Sequence, residues 1–468
     1  MKYRAIKEVT RVNDYISIVK EQKSVSLHNK AVEISREIAV RLSDPKFVIE
    51  AVHSKDNVLS GSDVFPWGDI SLSHGYPGNI HLLSLWREID NTFNWNEAIH
   101  SNLIAIQSYL AEYGTRDISL FSGWTGIASS VVAASNHGEF YTQFLDKIHR
   151  WMAPLIEEWL QACSELAKQK NGVPVQTFDT ISGASGLGRY LLKNCAAPHL
   201  APLIEPLLQF LITLTQPIQV HGKTVPGWFT PSELHLTDRD KQIFSMGSFN
   251  CGMAHGIPGP LALLSIAYNS GIEIPGQHNA IEYMTEWLLS SQEEDELGSY
   301  WPHIIPFEYD KKTVGHTLQR QREAWCYGTP GVTSALYTAS LSLKNPSLKQ
   351  HALQTFIQSV TYECEKNEMS SPSICHGLSG LLLMCQRMWS NSKAPELEPL
   401  IQRITTELLQ RFNPNHPLCF KDAEPESAES TRWLTKAGLL EGAAGIGSVL
   451  LSVAEQQSND WDYLLMLS

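Results

Sequence analysis

No stretch of about 18 consecutive apolar residues, the length a membrane-spanning helix needs, occurs in these 468 residues. The N-terminal stretch carries basic side chains. It has no continuous apolar core and no small-residue cleavage site, so it is not read as a signal peptide. Cysteine is sparse: eight in the whole chain are too few for a secreted disulfide scaffold. The thiols are therefore read as reduced, the compartment as cytoplasmic, and each cysteine as a candidate for metal binding or chemistry. Basic residues are in deficit, 36 Lys and Arg against 49 Asp and Glu, for a formal net charge of -13. A nucleic-acid surface should be basic, so that class is disfavoured. Hydrophobic residues at 43% and charged residues at 18% are an ordinary globular balance. The length permits a deep core without disulfides.

What the chain does have is a repeat. Gly-x-x-Gly followed by an apolar run begins at Gly75, Gly123, Gly183, Gly256, Gly328, Gly377 and Gly442. The intervals between first glycines are 48, 60, 73, 72, 49 and 65 residues. The short intervals set the basic unit and the long ones imply insertions. Each run after the motif is small or aliphatic nearly all round, as a buried helix should be. Before each motif lies a longer run with apolar residues spaced by three and four, a helical period. Examples are the segments 95–113, 140–166 and 397–412, and residues 26–42 can serve the first unit. Outer helix, glycine turn and inner helix, seven times over, predict an all-α fold. Fully apolar inner helices favour a closed double ring of seven helix pairs, an α/α toroid, over an open stack. Residues 1–468 are read as one such domain.

The long intervals locate additions. Residues 218–249 alternate like strands around glycine and proline and are read as a small non-helical insertion. Residues 44–70 show no helical pattern, 294–321 read as another loop, and 413–432 read as a polar surface loop. The turn glycines themselves are read as structural, permitting left-handed or crowded backbone.

Alignment of the repeats on their first glycine is informative. The preceding residue is His74, Ser122, Ser182, His255, Tyr327, His376 and Glu441 in turn. One position earlier stand Cys326 in the fifth repeat and Cys375 in the sixth. On a toroid these positions converge at one mouth of the barrel. Either cysteine alone would read as a small buried hydrophobe. Together with His376 they form a set of two thiolates and one imidazole, which suits a single Zn²⁺. Three protein ligands leave a fourth position open, the mark of a catalytic site. Cys163, Cys195, Cys364 and Cys385 sit in helical runs, Cys251 lacks the register, and Cys419 falls in a polar loop.

The seven glycine turns, with Arg322-Glu-Ala-Trp-Cys326-Tyr-Gly and Cys375-His376-Gly, resemble the lanthipeptide (lantibiotic) synthetase cyclases, the LanC family. The resemblance runs from about Ser71 to Leu451 and is closest to the stand-alone class I enzymes. It implies a zinc-dependent Michael addition. A cysteine thiol of a ribosomal precursor peptide adds to dehydroalanine or dehydrobutyrine and forms lanthionine or methyllanthionine. It also implies a leader-bearing dehydrated peptide as substrate. The dehydratase and exporter of the same pathway become partners, and association with a membrane-bound biosynthetic complex an option.

His255 matches the family's active-site histidine, for acid–base work. Asp179 matches its aspartate, able to orient and charge-stabilise His255. Arg322 matches its arginine, to hold Asp179 or steady an enolate. His74 is read as rim or packing, Trp124 and Tyr327 as liners of a peptide groove, and the 218–249 insertion as an aid to leader binding.

Other readings stand beside this one. A LanC-like protein directed at glutathione or phosphoproteins would keep the same zinc ligands. A prenyltransferase subunit would include an aspartate ligand, and a glycosidase would depend on paired carboxylates. A structural zinc scaffold for other pathway enzymes is the fourth.

Overall fold

The computed structural model describes residues 26–309, 317–366, 369–425, 430–455 and 460–468. Among them are seven inner helices, each starting at a glycine turn: Tyr76–Ile89, Trp124–Ala134, Ala184–Lys193, Pro258–Asn269, Thr329–Ser342, Leu378–Ser392 and Ala443–Glu455. Each packs on the next, and the last packs on the first, so the ring is closed. Outside it lie the helices Trp95–Glu112, Thr142–Lys168, Ile204–Thr213, Gln277–Ser290, Pro346–Lys366 and Leu397–Gln410. The helix over 26–42 completes the outer layer. The architecture is the α/α toroid. No described helix is long and apolar enough to cross a membrane.

The two layers differ as their sequences require. In Leu378–Ser392 an unbroken run from Leu378 to Cys385 is buried. In Thr142–Lys168 only a stripe including Ile148, Met152, Ile156 and Leu160 is buried, one residue per turn facing the ring.

The first outer helix serves the ring differently from the sequence expectation. Ser35 Oγ donates to the Gly447 carbonyl at 2.7 Å and accepts from Trp86 Nε1 at 3.0 Å. The helix therefore lies over the seam between the first and last inner helices rather than on the first repeat alone. A Cβ on Gly447 would stand 2.7 Å from Leu82 Cδ2, so glycine lets those two helices meet.

The turn glycines are crowded rather than left-handed. The helix-capping glycines Gly75, Gly123, Gly183 and Gly377 have extended backbone, and among the first glycines only Gly328 has a positive φ, 106°. The second glycine of a turn packs on a carbonyl six residues earlier. A Cβ on Gly380 would collide with the Ile374 oxygen, and one on Gly445 with the Leu439 oxygen.

This tight packing lets neighbouring turns bond to each other. Leu72 N donates to Phe121 O, Phe121 N to Ile181 O, Thr180 N to Ala254 O, and Ala254 N to Cys326 O. Cys326 N donates to Cys375 O, Cys375 N to Leu440 O, and Leu439 N back to Leu72 O. A circle of backbone hydrogen bonds thus runs around one mouth and fixes the register of every residue on its rim.

Several segments between helices are better ordered than the sequence pattern suggests. Asp44 caps the helix Pro45–Val52, its side chain accepting from Lys46 N. Cap and N1 proline were legible signals, but eight residues are too few to show a period. Pro217–Val220 pairs with Lys223–Pro226 across a His221-Gly222 turn, both residues at positive φ, the tight hairpin geometry. Ser248–Asn250 pairs with Ile304–Pro306. Glu293–Asp295 pairs with Gly298–Tyr300. The two excursions on either side of the fourth turn therefore pack as one unit, around Phe229, Phe249 and Phe307. Part of the 294–321 loop, residues 310–316, lies outside the described residues.

The 413–432 region is not simply a surface loop. Asp422–Pro425 pairs with Thr431–Leu434, and Cys419 and Asp422 are buried. The C-terminal segment Asp460–Leu465 is tied to several repeats of the ring. Leu465 O accepts from Trp325 Nε1, Asp462 pairs with Arg387, and Arg189 donates to Ser468 O.

Candidate metal centre and active site

The rim circle decides which side chains meet. Cys326 and Cys375 belong to adjacent turns joined by a 3.1 Å backbone bond from Cys326 N to Cys375 O. His376 follows Cys375 in the chain. Ligand atoms of Cys326, Cys375 and His376 all lie within 4.8 Å of one another. Cys326 is buried, and the other two are half-buried. Two sulfurs so close, unjoined by a disulfide and beside an imidazole, are the donor chemistry zinc prefers. The group could hold a metal ion.

The thiols also differ electrostatically from the others in the chain. A hydrogen bond from Cys375 is the largest influence on Cys326, and with Arg322, His376 and the Tyr327 N–H it outweighs burial. The Cys326 thiol is thereby held down to about 6. Its partner Cys375 is pushed up, because it keeps the shared proton. Elsewhere burial alone dominates: it raises Cys163 to about 12 and Cys364 and Cys419 each to about 11. Those thiols are inert packing groups.

His255 stands on the neighbouring turn, whose Ala254 N bonds Cys326 O at 3.1 Å. Its Nδ1 lies 2.6 Å from Asp179 Oδ2. The other Asp179 oxygen accepts from Ser182 N and Gly183 N, each at 2.7 Å. Asp179 is fully buried, with both carboxylate oxygens committed. Burial would lower the His255 pKa, but the Asp179 hydrogen bond and charge, with the charge of Cys326, raise it overall. The bond at Nδ1 leaves Nε2 as the nitrogen free for a substrate.

Tyr327 packs between two imidazoles, with ring centroids 6.2 Å from His255 and 4.8 Å from His303. Its hydroxyl accepts from Asn250 Nδ2 at 3.0 Å. His303 Nε2 also lies 3.0 Å from the Arg322 carbonyl, tying the second excursion to the Arg322–Cys326 loop. Neither Asn250 nor His303 has the repeat register, so nothing in the sequence marked them.

Arg322 is exposed, and no hydrogen bond or ion pair joins it to Asp179 among the described residues. Instead it lines a cavity of about 220 Å³ together with His376, Ser371, Ala423 and Thr431. A wider cleft of about 720 Å³, with Arg411, Lys421 and Trp433 on its wall, shares Met369 and Ser370 with that cavity. Trp124 donates its indole N–H to the Thr115 carbonyl at 3.0 Å, a packing role. His74 sits on the first turn, near Glu441, where burial lowers its pKa despite that carboxylate.

Sequence reasoning missed a charged cluster beside His376. Lys436, with 1% of its side chain exposed, donates to Asp422 at 2.9 Å, to Glu441 at 2.8 Å and to Glu424. Asp422 Oδ2 lies 3.7 Å from His376 Nε2. Burial opposes ionisation of Asp422, but His376, Lys436 and Ser371 together hold it down to about 2.

The sequence pattern of the family described as "Lanthionine synthetase C-like protein" matches residues 66–466. Among individual proteins, the chain is 26% identical over 390 residues to "Nisin biosynthesis protein NisC" of Lactococcus lactis subsp. lactis, covering 82% of this chain and 86% of that one. Among solved structures it superposes on "Nisin cyclase" with a TM-score of 0.70 and 23% identity, covering 86% of this chain and 93% of that one. At that identity the superposition speaks to the fold.

Proposed function

The chain belongs to the lanthionine synthetase C-like family, and from that premise we propose that it is a zinc-dependent lanthipeptide cyclase. One observation carries the reading. A three-donor cluster, Cys326, Cys375 and His376, shares a rim with an imidazole–carboxylate pair, His255 and Asp179, at 2.6 Å. The relative's name, a nisin biosynthesis protein, is consistent with a peptide substrate.

The reaction needs three things. A thiol must lose its proton, since its ordinary pKa near 8.5 leaves it mostly protonated at neutral pH. Its sulfur must bond the β-carbon of a dehydroalanine or dehydrobutyrine as the carbon–carbon double bond opens. The α-carbon must then gain a proton. A Zn²⁺ held by Cys326, Cys375 and His376 would, when bound, supply Lewis acidity that favours the thiolate.

The protein's own groups do the rest. His255 Nε2 accepts or delivers the proton, and Asp179 holds the ring in the required tautomer and supports its charge. The exposed Arg322, which lines the same cavity as His376, steadies negative charge developing on the substrate carbonyl. This replaces the alternative of an Arg322–Asp179 pair. We further propose that the 218–249 insertion, which begins in the hairpin of Pro217–Val220 with Lys223–Pro226, helps to hold the leader. The pathway's dehydratase and exporter remain the proposed partners. We retain residues 1–468 as one cyclase domain elaborated at 218–249.

A dehydrated precursor peptide incubated with the protein, then alkylated and weighed, tests the reading. Ring closure leaves the mass unchanged and protects the cysteines from alkylation. Full alkylation at the uncatalysed rate, with activity instead toward glutathione or a phosphoprotein, would transfer the site to the LanC-like alternative.

A further inference from the structure

The cluster beside His376 has the composition of a hard-cation site, since oxygens of Asp422, Glu424 and Glu441 lie within 4.8 Å of one another. It is already filled. Lys436 Nζ donates to all three carboxylates, and an ammonium has three protons to give. The lysine is therefore saturated and fixed. Asp422 is fixed in turn: it is 3% exposed, its Oδ1 accepts from Ser371 Oγ, and its Oδ2 accepts from Lys436.

The same Oδ2 faces outward toward His376 Nε2 at 3.7 Å. That distance is longer than a hydrogen bond, so the contact acts through charge. Among the described residues, no side-chain hydrogen bond otherwise fixes the His376 ring. Its backbone is set by the sixth turn, but rotation about the ring's own bond is not.

We infer that Asp422, anchored by Lys436 and Ser371, is a positioning residue for His376. It draws the imidazole proton to Nε2 and leaves Nδ1 as the nitrogen that joins the two sulfurs. Metal-ligating histidines commonly present their second nitrogen to a carboxylate, and losing that partner typically weakens metal binding about 10–100-fold. The strand Asp422–Pro425 is thus part of the site rather than of a loop beside it. The inference rests on metal binding at Cys326, Cys375 and His376.

The test uses the full chain, stripped and then titrated with zinc against a chromogenic chelator, and separately loaded with cobalt(II) for visible absorption. Asp422→Asn keeps size and removes charge. It is expected to bind zinc about 10–100-fold more weakly and to alter the cobalt bands. Ser371→Ala removes one anchor of Asp422, together with the hydroxyl's bonds to Ser373, and is expected to weaken binding in the same direction by less, in a stripped protein that still melts cooperatively. If Asp422→Asn fails to fold, Ser371→Ala decides alone. Wild-type zinc affinity and cobalt spectrum in the folded variants would overturn the inference while leaving the metal reading intact. A wild-type chain that takes up no stoichiometric zinc would overturn both.

Discussion

His255 Nδ1 and Asp179 Oδ2 lie 2.6 Å apart, although they belong to different turns of the ring. The carboxylate is fully buried and its other oxygen is held by two backbone N–H groups. A fixed acceptor of this kind sets the imidazole's tautomer and favours its protonated form. Replacing His255 by Ala is expected to slow cyclisation by about 10²–10⁴-fold, the usual worth of a positioned acid or base. Substrate binding, measured with a non-reacting peptide, should change little. An unaltered cyclisation rate would remove His255 from the chemistry.

The same pair makes stability depend on pH. The His255 pKa is raised in the folded protein, net of burial, by Asp179 and Cys326. The associated stabilisation is fully present below the unfolded value of about 6.5 and disappears as pH rises through the folded value. Asp179→Asn should therefore lower the melting temperature more at pH 6 than at pH 9. Equal losses at the two pH values would mean that the charge on His255 does not contribute.

Metal content gives a direct reading of the ligand set. One zinc per chain is expected after purification, falling below about one-tenth in Cys326→Ala and Cys375→Ala, because two ligands cannot close a zinc shell. Cys163→Ala, which alters a buried packing thiol, should keep full zinc. Undiminished zinc in either of the first two variants, measured by plasma emission, would remove that residue from the set.

The ring itself depends on close backbone approach at the turns. A Cβ at position 445 would collide with the Leu439 carbonyl, and Leu439 N makes the bond that closes the circle onto Leu72. Gly445→Ala is expected to cost about 1–3 kcal/mol, the ordinary range for overpacking. In the fully buried inner helix, Leu382→Ala should cost about 2–5 kcal/mol. Chemical denaturation measures both. A neutral Gly445→Ala would show that the turn tolerates a side chain.

Much of this was readable in the chain. The glycine motif marked every inner helix because each motif meets the same steric demand. The residue before each first glycine landed on the rim because the turns share one register. Cys326, Cys375, His376 and His255 could therefore be brought together on paper. Asp422 could not. It lies in a polar stretch with no period, and only the pairing of Asp422–Pro425 with Thr431–Leu434 returns it to His376. His303 reaches Tyr327 through a strand pairing between two excursions, which no local pattern encodes. Arg322 had a sequence position but no direction. It lines the His376 cavity, and side-chain placement at a loop is set by neighbours far away in sequence. The seam role of helix 26–42 was hidden for the same reason, since a ring has no first unit.

The central claim is that metal at the rim and the neighbouring imidazole together close thioether rings. The decisive measurement is cysteine protection in a dehydrated precursor peptide, followed by alkylation and mass spectrometry, with the protein as purified, chelator-stripped and zinc-restored. The account predicts rapid protection, then loss to the uncatalysed rate, then recovery on adding one equivalent of zinc. Protection at the same rate by the stripped protein, or none by the zinc-restored protein, would contradict it.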